Sequence, residues 1–333
     1  MRRISIVPFL FALAACGGGS GGSNGPPPPI TVPAQSQSTS FTALPLDPST
    51  IAFAVPLGNI VPPSHTLPSY HVYLYSTAFT NPNAGPIPVV APASGIVVPT
   101  LGGSQSLWVK MNATMTYYLG NVNLNQAYQP GQTISAGQNL GTLATGTLDF
   151  GFSNTAIAQP FVLPSRYEDD YLYADSPYKH FSSSLQPAIY AKVQSTGADP
   201  DGRLCYDVAG HLAGNWFLAG LPVDNRSVSA TQDQLVFAYD NQNPTLMRVS
   251  IGGTLSLQGL FGLAAGSPDP VSITPANGTV TYSLTNPEID NRPGIPQGWM
   301  TVQMLANDQI KIETFPLAAT STAFDANAII YTR

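Results

Sequence analysis

The chain has 333 residues, enough for two domains with separate cores at about 150 residues each. Charged residues make up only 9%, far below the ~25% of an average soluble protein, so neutral polar side chains must cover the surface. The net charge of −6 and the lack of any Lys/Arg cluster argue against a nucleic-acid partner, because nothing is present to displace phosphate counterions. With 32 prolines and 30 glycines among many Thr, Ser, Asn and Gln, the composition suits an exported all-β protein.

In chain order, Arg2 and Arg3 precede an apolar run from Ile4 to Leu13, followed by Ala14, Ala15 and Cys16. A short positive region, a brief apolar stretch and small residues before a cut site describe a signal peptide, here residues 1–15. The apolar run is too short to span a bilayer, which takes about 20 residues. Leu13-Ala14-Ala15-Cys16 resembles the bacterial lipobox, which implies acylation of Cys16 and a membrane partner through the lipid anchor. Gly17 in place of Asp implies, by the same resemblance, the outer membrane of the cell envelope. Residues 16–49 read as a Gly/Pro-rich linker, flexible glycines followed by stiff polyproline. Within it Gly18 to Gly22 formally matches G-x-S-x-G, but no strand or helix flanks the match. If Cys16 is acylated, Cys205 stands alone and reads as a small buried apolar residue.

From residue 50 the pattern is alternation and short apolar runs, with no helical periodicity. Strands are predicted at 51–57, 71–75, 89–98 with a turn at Ser94-Gly95, 106–111, 114–119, 133–135, 140–143 and 147–152. Gly131, Gly137, Gly141 and Gly146 punctuate the last three as tight turns. After a break at Pro160 to Pro164, residues 166–181 (RYEDDYLYADSPYKHF) form an acidic and aromatic segment with a short helix near 167–173. Rings and carboxylates interleaved in this way can bind sugars or calcium, or can simply pack as a connector between domains. Strands resume at 203–208, 215–219, 235–239, 246–251, 254–260, 271–274, 279–284, 300–305 and 309–314. Asn277-Gly278 signals a hairpin between the sixth and seventh of these. The spacing predicts two β domains, residues 50–160 and residues 161–333, the second an antiparallel β-barrel or sandwich. Gly214-Asn215-Trp216 is similar to the Gly-x-Trp of lipocalin-like barrels, and Trp216 reads otherwise as a core aromatic.

IPVVAPASGIVVPT (residues 87–100) and PGQTISAGQNLGTLATGTLDFGF (residues 130–152) resemble the strand pair and glycine-rich turns of lysostaphin-type (LytM) zinc peptidases. The resemblance covers roughly residues 57–152 and implies an all-β barrel-sandwich of the duplicated hybrid kind for the first domain. In that family a His, an Asp four residues later and the second His of a His-x-His hold zinc, and two more histidines assist the attacking water. Carried over, the first ligand falls on His65, the Asp on Ser69 or Tyr70, the assisting histidines on Asn121 and Thr147, and the last ligand on Asp149. Neither Asn121 nor Thr147 can act as a general base near neutrality. His71 could complete a zinc site with His65 and Asp149. Tyr70, Tyr73, Tyr117 and Tyr118 are expected as the walls of a groove.

These residues lead to the expectation of a lipid-anchored envelope protein with no cofactor, whose degenerate LytM-like domain binds or regulates. Peptidoglycan, an envelope hydrolase or a glycan would be its partner. The alternative is a zinc-dependent cell-wall endopeptidase with non-standard ligands.

Overall fold

The structure is a computed structural model that describes residues 37–81, 83–99, 105–221, 231–287 and 294–333. Cys16, the leader and the Gly/Pro-rich run to residue 36 lie outside the described residues. The protein is all-β, with antiparallel pairing in each of its sheets.

The first half is built from β1 (Ile51–Val55), β2 (His71–Ser76), β3 (Pro88–Val90), β4 (Gly95–Val97), β5 (Leu107–Lys110), β6 (Met115–Gly120), β7 (Val122–Leu124), β8 (Thr133–Ile134), β9 (Asn139–Leu143) and β10 (Thr147–Asn154). Seven of them form one sheet in the order β1-β2-β10-β6-β5-β4-β8, and β3-β9-β7 form a smaller one. Successive side chains on a strand point to opposite faces. Val72, Leu74, Val109, Tyr117, Leu119, Leu148 and Phe150 therefore share one face of the large sheet, and they join Val89, Val122 and Leu140 of the small sheet in one buried cluster. Strands predicted at 71–75, 114–119 and 147–152 lie within two residues of those observed. Residues 37–49, the end of the expected linker, pack onto this core: Phe41 and Leu46 are fully buried.

The connecting segment carries α2 (Asp169–Leu172) and α3 (Gln186–Tyr190), while α1 (Thr77–Thr80) follows β2. No strand forms at 203–208. There Leu204, Cys205 and Tyr206 join the buried cluster of the first half without a strand, and side chains do the work of a ladder: Arg203 Nε donates to the Cys205 carbonyl at 2.6 Å, and Asp207 accepts from the Val162 and Asn215 amides at 3.0 and 2.8 Å. Burial pushes the Cys205 thiol up to about 12, so it behaves as the apolar residue that the sequence suggests.

The second half closes into a barrel of β11 (Gly214–Leu218), β12 (Gln234–Tyr239), β13 (Met247–Ile251), β14 (Gly259–Leu263), β15 (Thr279–Thr285), β16 (Pro296–Ala306), β17 (Gln309–Pro316) and β18 (Ile329–Thr332). Trp216, Phe237, Tyr282, Met300, Ile310 and Tyr331 belong to the buried cluster of this half. Trp216 is fully buried there, with the Arg333 guanidinium 4.2 Å from its ring centre. Phe217, Val236 and Ala238, on the opposite faces of β11 and β12, belong instead to the buried cluster of the first half. One wall of the barrel is thus buried on both sides, and the described residues form one compact unit.

Three expectations fail here, the last two for a local reason. The strand predicted at 254–260 begins only at Gly259. Residues 271–274 are not a strand, and Asn277-Gly278 is not a hairpin turn: Pro270–Ser272 and Pro275–Asn277 are single 3-10 turns. Asp269 caps the first through the Val271 amide, and Thr274 and Asn277 cap the second reciprocally. Proline opening each turn lacks the N–H that a central strand would need.

Candidate functional site

The face of the large sheet away from the core is unusually aromatic. Its residues are His71, Tyr73 and Tyr75 of β2, Thr147, Asp149 and Gly151 of β10, Tyr118 and Gly120 of β6, and Trp108 of β5. They meet because Asp149 pairs with Tyr73 and Gly120, Gly151 pairs with His71 and Tyr118, and Tyr118 pairs with Trp108. The rings form a row across the strands. Phe53 of β1 stacks on Tyr75 at 4.4 Å, Tyr73 lies 4.8 Å from His71, His71 lies 5.5 Å from Tyr118, and Tyr118 stacks on Trp108 at 4.6 Å. Gly151 makes this possible: a Cβ there would collide with the Tyr118 ring.

The polar centre sits in the middle of the row. His65 is held in the loop before β2 by reciprocal backbone bonds with Val61 at 2.8 and 3.0 Å, which bring its ring to 5.1 Å from that of His71. His71 is 3% exposed, and neither of its ring nitrogens has a hydrogen-bond partner among the described residues. Its Nε2 stands 4.0 Å from Asp149 Oδ2. Burial lowers the basicity of His65 and pushes His71 well below the ordinary histidine range, so both are neutral at pH 7. Asn121, directly after β6, adopts a left-handed backbone at φ 61°, a conformation that asparagine tolerates. From there its Nδ2 donates to Asp149 Oδ1 at 3.0 Å.

Of the residues picked from sequence, His65, Tyr70, His71, Asn121 and Asp149 converge. Ser69 is fully buried and its hydroxyl donates to the His71 carbonyl at 2.8 Å, a structural bond. Thr147 lies one strand repeat from Asp149, opposite Tyr75, with its amide tied to Thr145 Oγ1 at 3.2 Å. Tyr117 is not a groove wall: it is fully buried on the core face, its hydroxyl bonded to the Ala93 carbonyl at 3.0 Å, because adjacent strand residues face opposite ways.

Sequence reasoning missed three members. A cleft of about 400 Å³ beside the polar centre is lined by Tyr70, Trp108, Tyr118, Asp149, Glu168 and Asp170, among others. Trp108 could have been found from strand alternation once its pairing with Tyr118 was known. Glu168 and Asp170 come from the acidic and aromatic segment. Its Tyr167, Tyr171 and Tyr178 pack as a connector would, while these carboxyl groups line the cleft.

His65, His71 and Asp149 as placed do not fit a zinc ion. A zinc about 2.0–2.2 Å from both His71 Nε2 and Asp149 Oδ2 would need an angle of roughly 150° to span their 4.0 Å separation, far from the tetrahedral angle. Among the described residues no group of three His, Cys, Asp or Glu is arranged to hold a metal.

Asp149 carries a measurable consequence. Burial, opposed only by the Asn121 bond, pushes its carboxyl up to about 6. The folded value lies above the ~3.9 of an unfolded aspartate, so the folded state holds the proton more tightly. Stability from this group is present at low pH and is lost as pH rises through about 6. Asp149→Asn keeps the shape and removes the charge. It is expected to stabilise the protein at pH 8 by on the order of 2 kcal/mol, with the gain shrinking as the pH is lowered towards 4. Paired thermal melts at the two pH values check this, and a variant less stable at pH 8 would refute it.

No protein-family model matches the chain, and no curated protein matches it. Solved structures do. A zinc-containing peptidase from Vibrio cholerae matches with 16% identity and a TM-score of 0.27 over 35% of this chain and 37% of that one. The SpoIIQ–SpoIIIAH pore-forming complex matches with 12% identity and a TM-score of 0.28 over 37% and 89%. The metalloprotease pseudoalterin, from the deep sea, matches with 16% identity and a TM-score of 0.27 over 43% and 88%. The chain thus spans little more than a third of the Vibrio cholerae peptidase, and each likeness covers less than half of the present chain.

Proposed function

We propose that this chain is a lipid-anchored protein of the cell envelope, held through Cys16 at the outer membrane, whose first β domain is LytM-like and binds peptidoglycan without cleaving it. The observation that carries this reading is the engagement of the groups at the positions of the family's catalytic machinery. Asn121, at an assisting position, is spent on Asp149, and neither it nor Thr147 can handle the proton of an attacking water, while Ser69, at a ligand position, is spent on the His71 carbonyl. What remains is the half-buried part of the aromatic row, Phe53, Tyr75 and Trp108, whose ring faces can pack against sugar or peptide.

One observation favours the alternative of a zinc-dependent endopeptidase with the ligands His65, His71 and Asp149. A buried imidazole with both nitrogens unpartnered is costly, and a metal would supply the missing partner. That site would require Asp149 to close on His71.

Co-sedimentation of the full chain with purified peptidoglycan sacculi tests the proposal. The protein is expected in the pellet, with retention reduced by Trp108→Ala. Protein that stays in the supernatant in full counts against it. Mass spectrometry of the mature N-terminus tests the anchor: a diacylated or triacylated Cys16 is expected, and an unmodified one or cleavage elsewhere removes the anchor from the account.

A further inference from the structure

A second cleft, of about 430 Å³, lies at the seam between the connecting segment and the barrel, and it shares no lining residue with the cleft beside Asp149. The connecting segment supplies Asp199, Arg203 and Tyr206, and the second half supplies Tyr239, Asp240 and Val271. Seams of this kind commonly hold ligands, and the size falls within the roughly 300–1,000 Å³ of such sites. Arg203 is its unmet charge. Nε donates to the Cys205 carbonyl at 2.6 Å and the guanidinium lies 5.3 Å from the centre of the Tyr206 ring, yet among the described residues it has no carboxylate partner. The aspartates of the cleft do not meet that charge. Asp240 is neutralised by Arg248 at 3.0 Å, and Asp199 is exposed, where water screens it.

An exposed arginine ordinarily loses much rotamer freedom when it grips a ligand. Here the bond to a segment anchored by the buried Leu204 and Cys205 has already oriented the fork. Both Nη groups are left as paired donors, the arrangement that takes the two oxygens of one carboxylate. Tyr206 supplies an independent observation. It lines the cleft and is only 5% exposed, and its hydroxyl makes no hydrogen bond among the described residues. A buried hydroxyl of this kind wants a partner. Tyr239, by contrast, donates its hydroxyl to Asp269 at 2.5 Å. Burial raises both phenols and the Arg203 charge acts against that rise in each, so the guanidinium stands near both hydroxyl groups. The rest of the lining includes Val208, Ala213 and Pro244, which offer an apolar body something to pack on. A phosphate, with its greater charge, would meet Asp199 and Asp240 and gain nothing from that apolar wall.

We propose that this seam cleft binds a carboxylate-bearing ligand, the carboxylate forked by Arg203 and accepting from the Tyr206 hydroxyl, with the ligand's apolar part against Val208 and Val271. The inference goes beyond the peptidoglycan reading above and does not rest on it, since none of these residues belongs to the aromatic row. Two sources share that chemistry, the free C-terminus of a peptide and a sugar acid.

Titration calorimetry of the full chain distinguishes them with two matched pairs: acetyl-dialanine against its C-terminal amide, and a galacturonate oligomer against its methyl ester. At least one acid is expected to bind, and its uncharged partner to bind about tenfold more weakly or not at all. The pair that shows the difference identifies the source. Arg203→Gln is expected to weaken that acid about tenfold, and Arg203→Lys, which keeps the charge but loses the fork, by less. Tyr206→Phe, which removes only the hydroxyl, is expected to weaken it about threefold with an unchanged thermal melt, so the effect is separable from a folding defect. Equal binding of the acid and uncharged forms overturns the inference, as does wild-type affinity in Arg203→Gln. Inorganic phosphate binding more tightly than either acid, or no heat from any probe, also overturns it.

Discussion

Phe41→Ala is expected to cost about 3–5 kcal/mol of folding stability, the loss typical of a buried phenylalanine truncated in a rigid core. Phe41 is fully buried and its ring lies 5.1 Å from Phe150 and Phe181, 5.6 Å from Phe152 and 5.9 Å from Tyr117. Its backbone is fixed as well, the amide donating to the His180 carbonyl at 2.8 Å and the carbonyl accepting from Ser182 at 2.9 Å. The side chain therefore clamps the large sheet to the connecting segment, and the cavity left by alanine has no loose neighbour to fill it. Denaturant melts of the full chain check the value. A cost below about 1 kcal/mol would show that residues 37–49 are peripheral to the core.

Arg333→Ala is expected to cost about 3 kcal/mol, through the barrel and not through the sheet. The guanidinium lies over Trp216 at 4.2 Å, donates to the Val208 carbonyl at 2.7 Å and also donates to the Ala213 carbonyl. Asp207, whose carboxyl burial raises and the Arg333 charge lowers, sits in the same network. Alanine would remove a donor from the Ala213 carbonyl, leave the Val208 carbonyl only the His211 amide, and remove the charge that offsets Asp207. Arg333→Lys is expected to recover part of the loss only, since a single ammonium cannot reproduce the planar fork over the indole. Equal stability of the lysine variant and the wild type would contradict this reading of the network.

What the sequence made legible follows from local physics. Runs of β-branched and aromatic residues locate β2, β6 and β10, because strand alternation is encoded within a few residues. The same alternation does not say which face is the core. Tyr117 and Tyr118 are equally aromatic, yet one packs inward and the other faces Trp108 and the cleft; only the second sheet and the core residues contributed by distant segments decide between them. Phe41 was hidden for another reason. A single phenylalanine in a Ser/Thr/Gln/Pro-rich passage leaves the composition looking like a spacer, and its value depends on four rings that lie 76 or more residues away. Residues 271–274 misled because their β-branched content outweighed two prolines whose missing amides ended any ladder. His65, Asn121 and Asp149, the positions singled out through the resemblance to LytM peptidases, lie near one another, with His71 among them. Glu168 and Asp170 could not be placed, because a connector after the resemblance ends folds back over the cleft.

The most direct measurement is the fate of a cross-linked muropeptide incubated with the full chain, with and without added zinc, and followed by mass spectrometry. Recovery of intact muropeptide under both conditions, at protein concentrations where sacculi retain the chain, is the result predicted for a site that binds without cleaving. Zinc-dependent release of cleaved peptide, abolished in both His71→Ala and Asp149→Ala, would contradict it and put the endopeptidase in its place.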